Sequence, residues 1–72
     1  MMKQENSLKK LKEHQPIIVD YGKGLLSNDH VLEKAIWNNE KNAYISETGI
    51  WNIKLLIEIA TGKVEGMALY EV

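Results

Sequence analysis

The run Trp51-Asn52-Ile53-Lys54-Leu55-Leu56-Ile57-Glu58-Ile59-Ala60 decides how this chain folds, because it satisfies two periodicities at once. Every odd position is large and apolar, and three of the even ones are Asn, Lys and Glu, the period-two pattern of a strand with one buried face. Ile50, Ile53, Ile57 and Ala60 also lie near one helical stripe. The abundance of β-branched residues, with Thr61-Gly62 following at hairpin spacing, favours the strand.

Residues 63–70 resume an extended pattern, so the two runs read as the arms of a hairpin. A two-residue loop at Thr61-Gly62 sets Ile59 opposite Val64, Ile57 opposite Gly66, Leu55 opposite Ala68 and Ile53 opposite Tyr70, which makes one face wholly apolar. The other face then carries Leu56, Met67 and Leu69 beside Glu58, which would stand directly across from Glu65. Like charges placed opposite one another are destabilising, and an apolar patch rimmed with carboxylates is a common form of interaction surface. Leu56, Glu58, Glu65, Met67 and Leu69 are therefore the expected partner-binding residues, for a protein with a basic surface or for a second copy of the chain.

Upstream, the compact run Ile17-Ile18-Val19-Asp20-Tyr21 lies between Pro16 and Gly22-Lys23-Gly24 and reads as a strand. The glycine pair does not make a phosphate loop. A dinucleotide fingerprint needs a glycine where Ser27 stands, and a P-loop needs Ser or Thr directly after the lysine. It reads as a turn using glycine for positive φ. Ser27 or Asn28 can cap a helix over residues 29–38, in which Val31, Leu32, Ala35 and Ile36 form the stripe and Trp37 lies at its edge. Residues 41–46 supply a short strand, and Glu47-Thr48-Gly49 a turn into the decisive run.

The fold expected from these elements is α+β. A small antiparallel sheet, made of a C-terminal three-stranded meander plus one further strand, carries one main helix on one face. Its core should contain Ile18, Val31, Leu32, Ala35, Ile36, Ile53, Leu55, Ile57, Ile59 and Val64. Residues 16–72 form that single domain, preceded over residues 1–15 by a basic leader in which Leu8 and Leu11 allow a short helix from about residue 8 to 14. With so thin a stripe, the leader is expected to be dispensable for stability.

Seventy-two residues give one small core, and the absence of cysteine excludes both disulfides and thiolate zinc sites. Nine lysines and no arginine, at a net charge of −1, disfavour nucleic acid, because guanidinium forks make the commonest bidentate contacts to guanine and phosphate. Residues 1–14 nevertheless carry four Lys against two Glu, while the rest carry five Lys against eight acids. Apolar stretches are too short to span a bilayer, and residues 1–14 lack the apolar centre of a signal peptide, so a cytoplasmic location is expected. His14 and His30 have no ligand-spaced partner, and Ser7, Ser27 and Ser46 stand in no nucleophile motif, so no metal, cofactor or catalysis is expected. The functional expectation is a non-enzymatic protein-binding module: a small inhibitor, an immunity protein or a phage or mobile-element accessory protein. The alternative is a nucleic-acid-binding accessory protein using the Lys-rich leader.

Overall fold

A computed structural model describes residues 4–23 and 29–72, with side chains from Ser7 onward. The order is α1 (Gln4–Lys12), β1 (Ile17–Lys23), β2 (His30–Asn38), β3 (Ala43–Ser46), β4 (Gly49–Trp51), α2 (Ile53–Ala60) and β5 (Ala68–Glu71). The fold is α+β, with the strands in one antiparallel five-stranded sheet of order β4-β3-β2-β1-β5. β2 is the spine of the sheet. Its first part pairs with β1 (Ile17 opposite Ala35, Asp20 opposite Leu32) and its end pairs with β3 (Ile36 opposite Ile45, Trp37 opposite Tyr44).

Two assignments exchange places relative to the sequence reading. Residues 53–60 are a helix, so the meander runs through β1 to β4, and β5 crosses back to pair with β1. The caps decide this. Asn52 has an extended backbone and its side chain accepts from the Lys54 N–H at 2.7 Å, an N-cap inside what looked like a strand. At the other end Thr61-Gly62 closes the helix rather than turning a hairpin. The N–H of Lys63 reaches Glu58 O at 2.9 Å and that of Gly62 reaches Ile59 O at 3.1 Å, with Gly62 at φ +81°, the paired bonds of a Schellman motif. α2 buries Leu56, Ile59 and Ala60 and leaves Leu55 and Ile57 exposed.

Conversely, residues 30–38 form the longest strand, not a helix. The helical stripe of Val31, Leu32, Ala35 and Ile36 mixes residues from both faces of β2, and of these only Ala35 is buried. The proposed caps Ser27 and Asn28, and Gly24 of the glycine turn, lie outside the described residues.

The core lies between the helices and one face of the sheet. Leu11 of α1 and Leu56, Ile59 and Ala60 of α2 pack on Ile17, Val19, Ala35, Tyr44 and Leu69. Ala35 and Ile59 of the expected core are therefore correct, and Val64 packs at its margin. Ile18 and Ile53 are half-buried, while Val31, Leu32, Ile36, Leu55 and Ile57 are exposed.

The leader is part of this core. Leu11 and Ser7 are fully buried, and the Ser7 hydroxyl donates to Leu69 O at 2.9 Å, tying the first helix to the last strand. The Tyr44 hydroxyl donates to Gln15 O at 2.7 Å, and the His14 ring stacks on Trp37 with centroids 3.7 Å apart. This packing runs against the expectation of a dispensable leader: its two leucines were weighed as an isolated amphipathic helix, whereas the sheet supplies the surface they bury against.

Candidate functional site

Both helices lie on one side of the sheet, and alternation along each strand decides which residues face the other side. Ile17, Val19, Ala35, Tyr44 and Leu69 point toward the helices. Their neighbours, joined by the pairing register, form rows on the opposite face: Ile50, Ile45 and Ile36 across β4, β3 and β2; Lys34, Ile18 and Tyr70 across β2, β1 and β5; and Leu32, Asp20 and Ala68 beyond them. Ile36 and Lys34 are two apart on β2, so the rows adjoin. Within these rows Leu32 is 58%, Ile36 52%, Ile50 64% and Tyr70 44% exposed, whereas Ile18, Ile45 and Ala68 are half-buried and Asp20 is buried. Five strands at about 4.8 Å spacing and about 15 Å of strand length give a footprint of roughly 300 Å². That footprint includes Lys34 and Asp20, and an apolar patch within it is of the size that a typical monomer exposes, often for a functional reason.

At one end of this face the Asp20 carboxylate, 4% exposed, accepts from the Gly22 N–H at 2.8 Å and lies 2.8 Å from His30 Nδ1. The pairing register between β1 and β2 slips between Asp20 and Lys23, and these bonds brace the slip. Gly22 is required there twice over. It holds φ +92°, and a side-chain carbon at its position would meet Gly66 O at 2.7 Å. A carboxylate that orients an imidazole is also the base half of a catalytic triad, but a nucleophile must then meet Nε2. Among the described residues no cluster of His, Cys, Asp and Glu suits a metal ion.

A second polar cluster lies on the helix side, toward β4. Glu33 accepts from the Tyr21 hydroxyl, from the Thr48 N–H at 3.0 Å and from the Thr48 hydroxyl at 2.8 Å. The Trp51 indole N–H donates to Ser46 Oγ at 2.8 Å. The Tyr21 hydrogen bond, opposed by desolvation and aided by the bonds of Thr48 and Ser46, lowers the Glu33 pKa. Burial, then Glu33 itself, raises that of Tyr21. These groups are spent on holding the β3-β4 turn against β1 and β2. Beside them a shallow groove of about 360 Å³, lined by Tyr21, Thr48, Gly49, Ile50, Trp51 and Leu55, runs around the β4 edge and meets the open face at Ile50.

The residues expected to bind a partner are not brought together. Leu56 and Leu69 are fully buried in the core, Met67 packs at its margin, Glu58 is on α2 and Glu65 lies in the turn before β5. Since the hairpin does not form, Glu58 and Glu65 are not cross-strand neighbours, and the acidic rim that pointed to a basic partner is not built. The residues that do form an open apolar surface, Ile36, Ile45 and Ile50, come from separate strands. Their only sequence signal was that each is the aliphatic residue facing away from Tyr44, Trp37 or Trp51.

The leader's lysines also stand in a different light. Lys9 and Lys10 line a cleft of about 220 Å³ together with Glu13 and Glu71, so its field is mixed rather than positive. No described helix is long and apolar enough to cross a membrane. No family model, curated protein or solved structure matches this chain, so the geometry alone carries the functional reading.

Proposed function

We propose that this protein is a non-enzymatic protein-binding module, of the kind that serves as an inhibitor, an immunity protein or a mobile-element accessory protein, and that it docks its partner on the sheet face opposite the helices. The observation that carries this reading is the row Ile36, Ile45 and Ile50, aligned by register on adjacent strands, with Ile36 and Ile50 exposed and Ile45 half-buried between them. A small domain that leaves such a row uncovered gains most by covering it on association, at about 25 cal/mol per Å² of apolar surface removed from water. The polar clusters support the non-enzymatic part, since Glu33, Tyr21, Thr48, Asp20 and His30 bond to one another and thereby hold turns.

The test is retention of partner proteins from a lysate of the source cells by the immobilised chain. Ile36→Asp and Ile50→Asp should abolish retention while melting near the wild type, and Leu55→Asp, on the helix side, should retain the same proteins. Retention by Ile36→Asp equal to that by wild type would sink the proposal.

A further inference from the structure

We infer that the open face is built for a partner surface of aliphatic side chains interspersed with carboxylates. This rests on the docking face proposed above and adds the charge of what docks there. The register places Lys34 on this face between Leu32 and Ile36, and sets Lys23 opposite His30, whose ring reaches Asp20 on the same face. Both lysines are exposed, and the His30 side chain is 50% exposed. The carboxylate that the register puts here, Asp20, is buried and already engaged by His30 and the Gly22 N–H. Glu33 and Glu71 alternate to the helix side, opposite Val19 and Ile17, and Glu58 is on α2. A chain of net charge −1 thus presents cations on its open apolar face.

That segregation selects among occupants. A second copy across a two-fold axis would bring the same lysines into one interface, where the carboxylate that the strand register puts on the face, Asp20, is already engaged. Nucleic acid would meet the charge but not most of the surface, since Leu32, Ile36, Ile45 and Ile50 are aliphatic, the chain has no arginine fork, and Tyr70 is the one tyrosine or tryptophan ring that the register puts on this face among the described residues. An acidic, aliphatic protein surface satisfies both the lysines and the isoleucine row.

A random peptide library displayed on phage, panned against the immobilised full chain, tests this. Three variants run in parallel: Lys23→Glu with Lys34→Glu, Ile36→Asp with Ile50→Asp, and the milder Leu32→Ser in case the second does not fold, each checked by circular dichroism. Enriched peptides are expected to combine aliphatic residues with Asp and Glu. They should bind more tightly as salt is lowered, lose about tenfold or more at low salt on charge reversal, and fail on the apolar-face variants. An empty selection, or a basic or uncharged consensus that the charge-reversed chain binds equally well, overturns the acidic partner, and in the second case leaves the docking face standing if the apolar variants still abolish binding. Peptides that bind the apolar-face variants as well as wild type overturn the docking face itself. Two further outcomes also overturn the inference: a concentration-dependent dimer in sedimentation that Ile36→Asp dissolves, which assigns the face to a second copy, and binding of labelled random single-stranded DNA that charge reversal removes.

Discussion

The two faces of the sheet are made from the same strands and almost the same residue types, yet only one of them holds the molecule together. On β1, Ile17 and Val19 are buried, whereas Ile18 between them is half open; on β2, Ala35 is buried and Ile36 beside it is 52% exposed. The difference is what lies above. α1 and α2 cover the first face and supply Leu11, Leu56 and Ile59 as partners, while the second meets solvent. An aliphatic residue in a strand of this protein therefore contributes stability according to its helix cover, and those without cover are available for binding.

The largest expected effect comes from removing the cover. Deleting residues 1–13 strips Leu11 from the core, exposes Leu69 and Tyr44, and removes the Ser7 bond to Leu69 O. A thermal midpoint lowered by more than about ten degrees is expected, since about 1 kcal/mol already moves a domain of this size by roughly 4–8 °C. An unchanged midpoint would mean that α1 does not distinguish the two faces. Next in size, Leu69→Ala and Ile59→Ala should each cost about 2–5 kcal/mol in urea unfolding, a large part of the total for a small domain. Gly22→Ala should follow, at about 1–3 kcal/mol, because its φ of +92° and the approach of Gly66 O both reject a side chain. If Gly22→Ala melts with the wild type, the braced end of the β1-β2 pair is looser than its bonds indicate.

This dependence on cover also explains what could be read from the chain in advance. The α+β class, β1, β3, the turn at Glu47-Thr48 and a helix in the leader follow from local signals: β-branched runs, turn residues and the spacing of Leu8 and Leu11, although the helix begins at Gln4 and holds Ser7 in its interior. β2 does not, because a strand with aliphatic residues on both faces loses the alternation that identifies it. Leu32 and Ile36 look outward while Ala35 looks inward, and together they imitate a helical stripe. α2 was hidden by the opposite accident, since Ile53, Leu55, Ile57 and Ile59 alternate although the helix buries Leu56, Ile59 and Ala60. The capping chemistry was the stronger signal there, in Asn52 before the run and Gly62 after it. The row of isoleucines was beyond local reading, because it exists only once β2, β3 and β4 are in register.

The polar cluster beneath the β3-β4 turn sharpens the comparison by pH. Glu33 is lowered below its ordinary 4.5, so its contribution is present above that value and is lost as pH falls through the native pKa. Glu33→Gln should flatten the acid side of the stability curve below about pH 4.5. Tyr44 behaves in the opposite sense. Burial raises it from 10.0 to about 12, so the protonated phenol stabilises the fold fully below pH 10, and that stability is lost as pH rises toward 12. An acid limb that Glu33→Gln leaves as steep as in the wild type would place the acid sensitivity elsewhere.

The smallest expected effect is the most discriminating. Ile36→Thr changes an exposed residue in the middle of β2 to another β-branched one, so strand propensity is kept and little buried area is lost. Stability should move by no more than about half a kcal/mol, as for most surface substitutions. Directly across the strand pair, Ile45 loses a neighbour it touches only from the side, and the helix face is not involved. If binding falls while the urea midpoint stays, the open face serves association and the covered face serves the fold. A loss of 2 kcal/mol or more would instead show that Ile36, Ile45 and Ile50 already pack as a second small core. The face would then contribute to stability before any partner arrives, and the contrast between the two sides of the sheet would be one of degree.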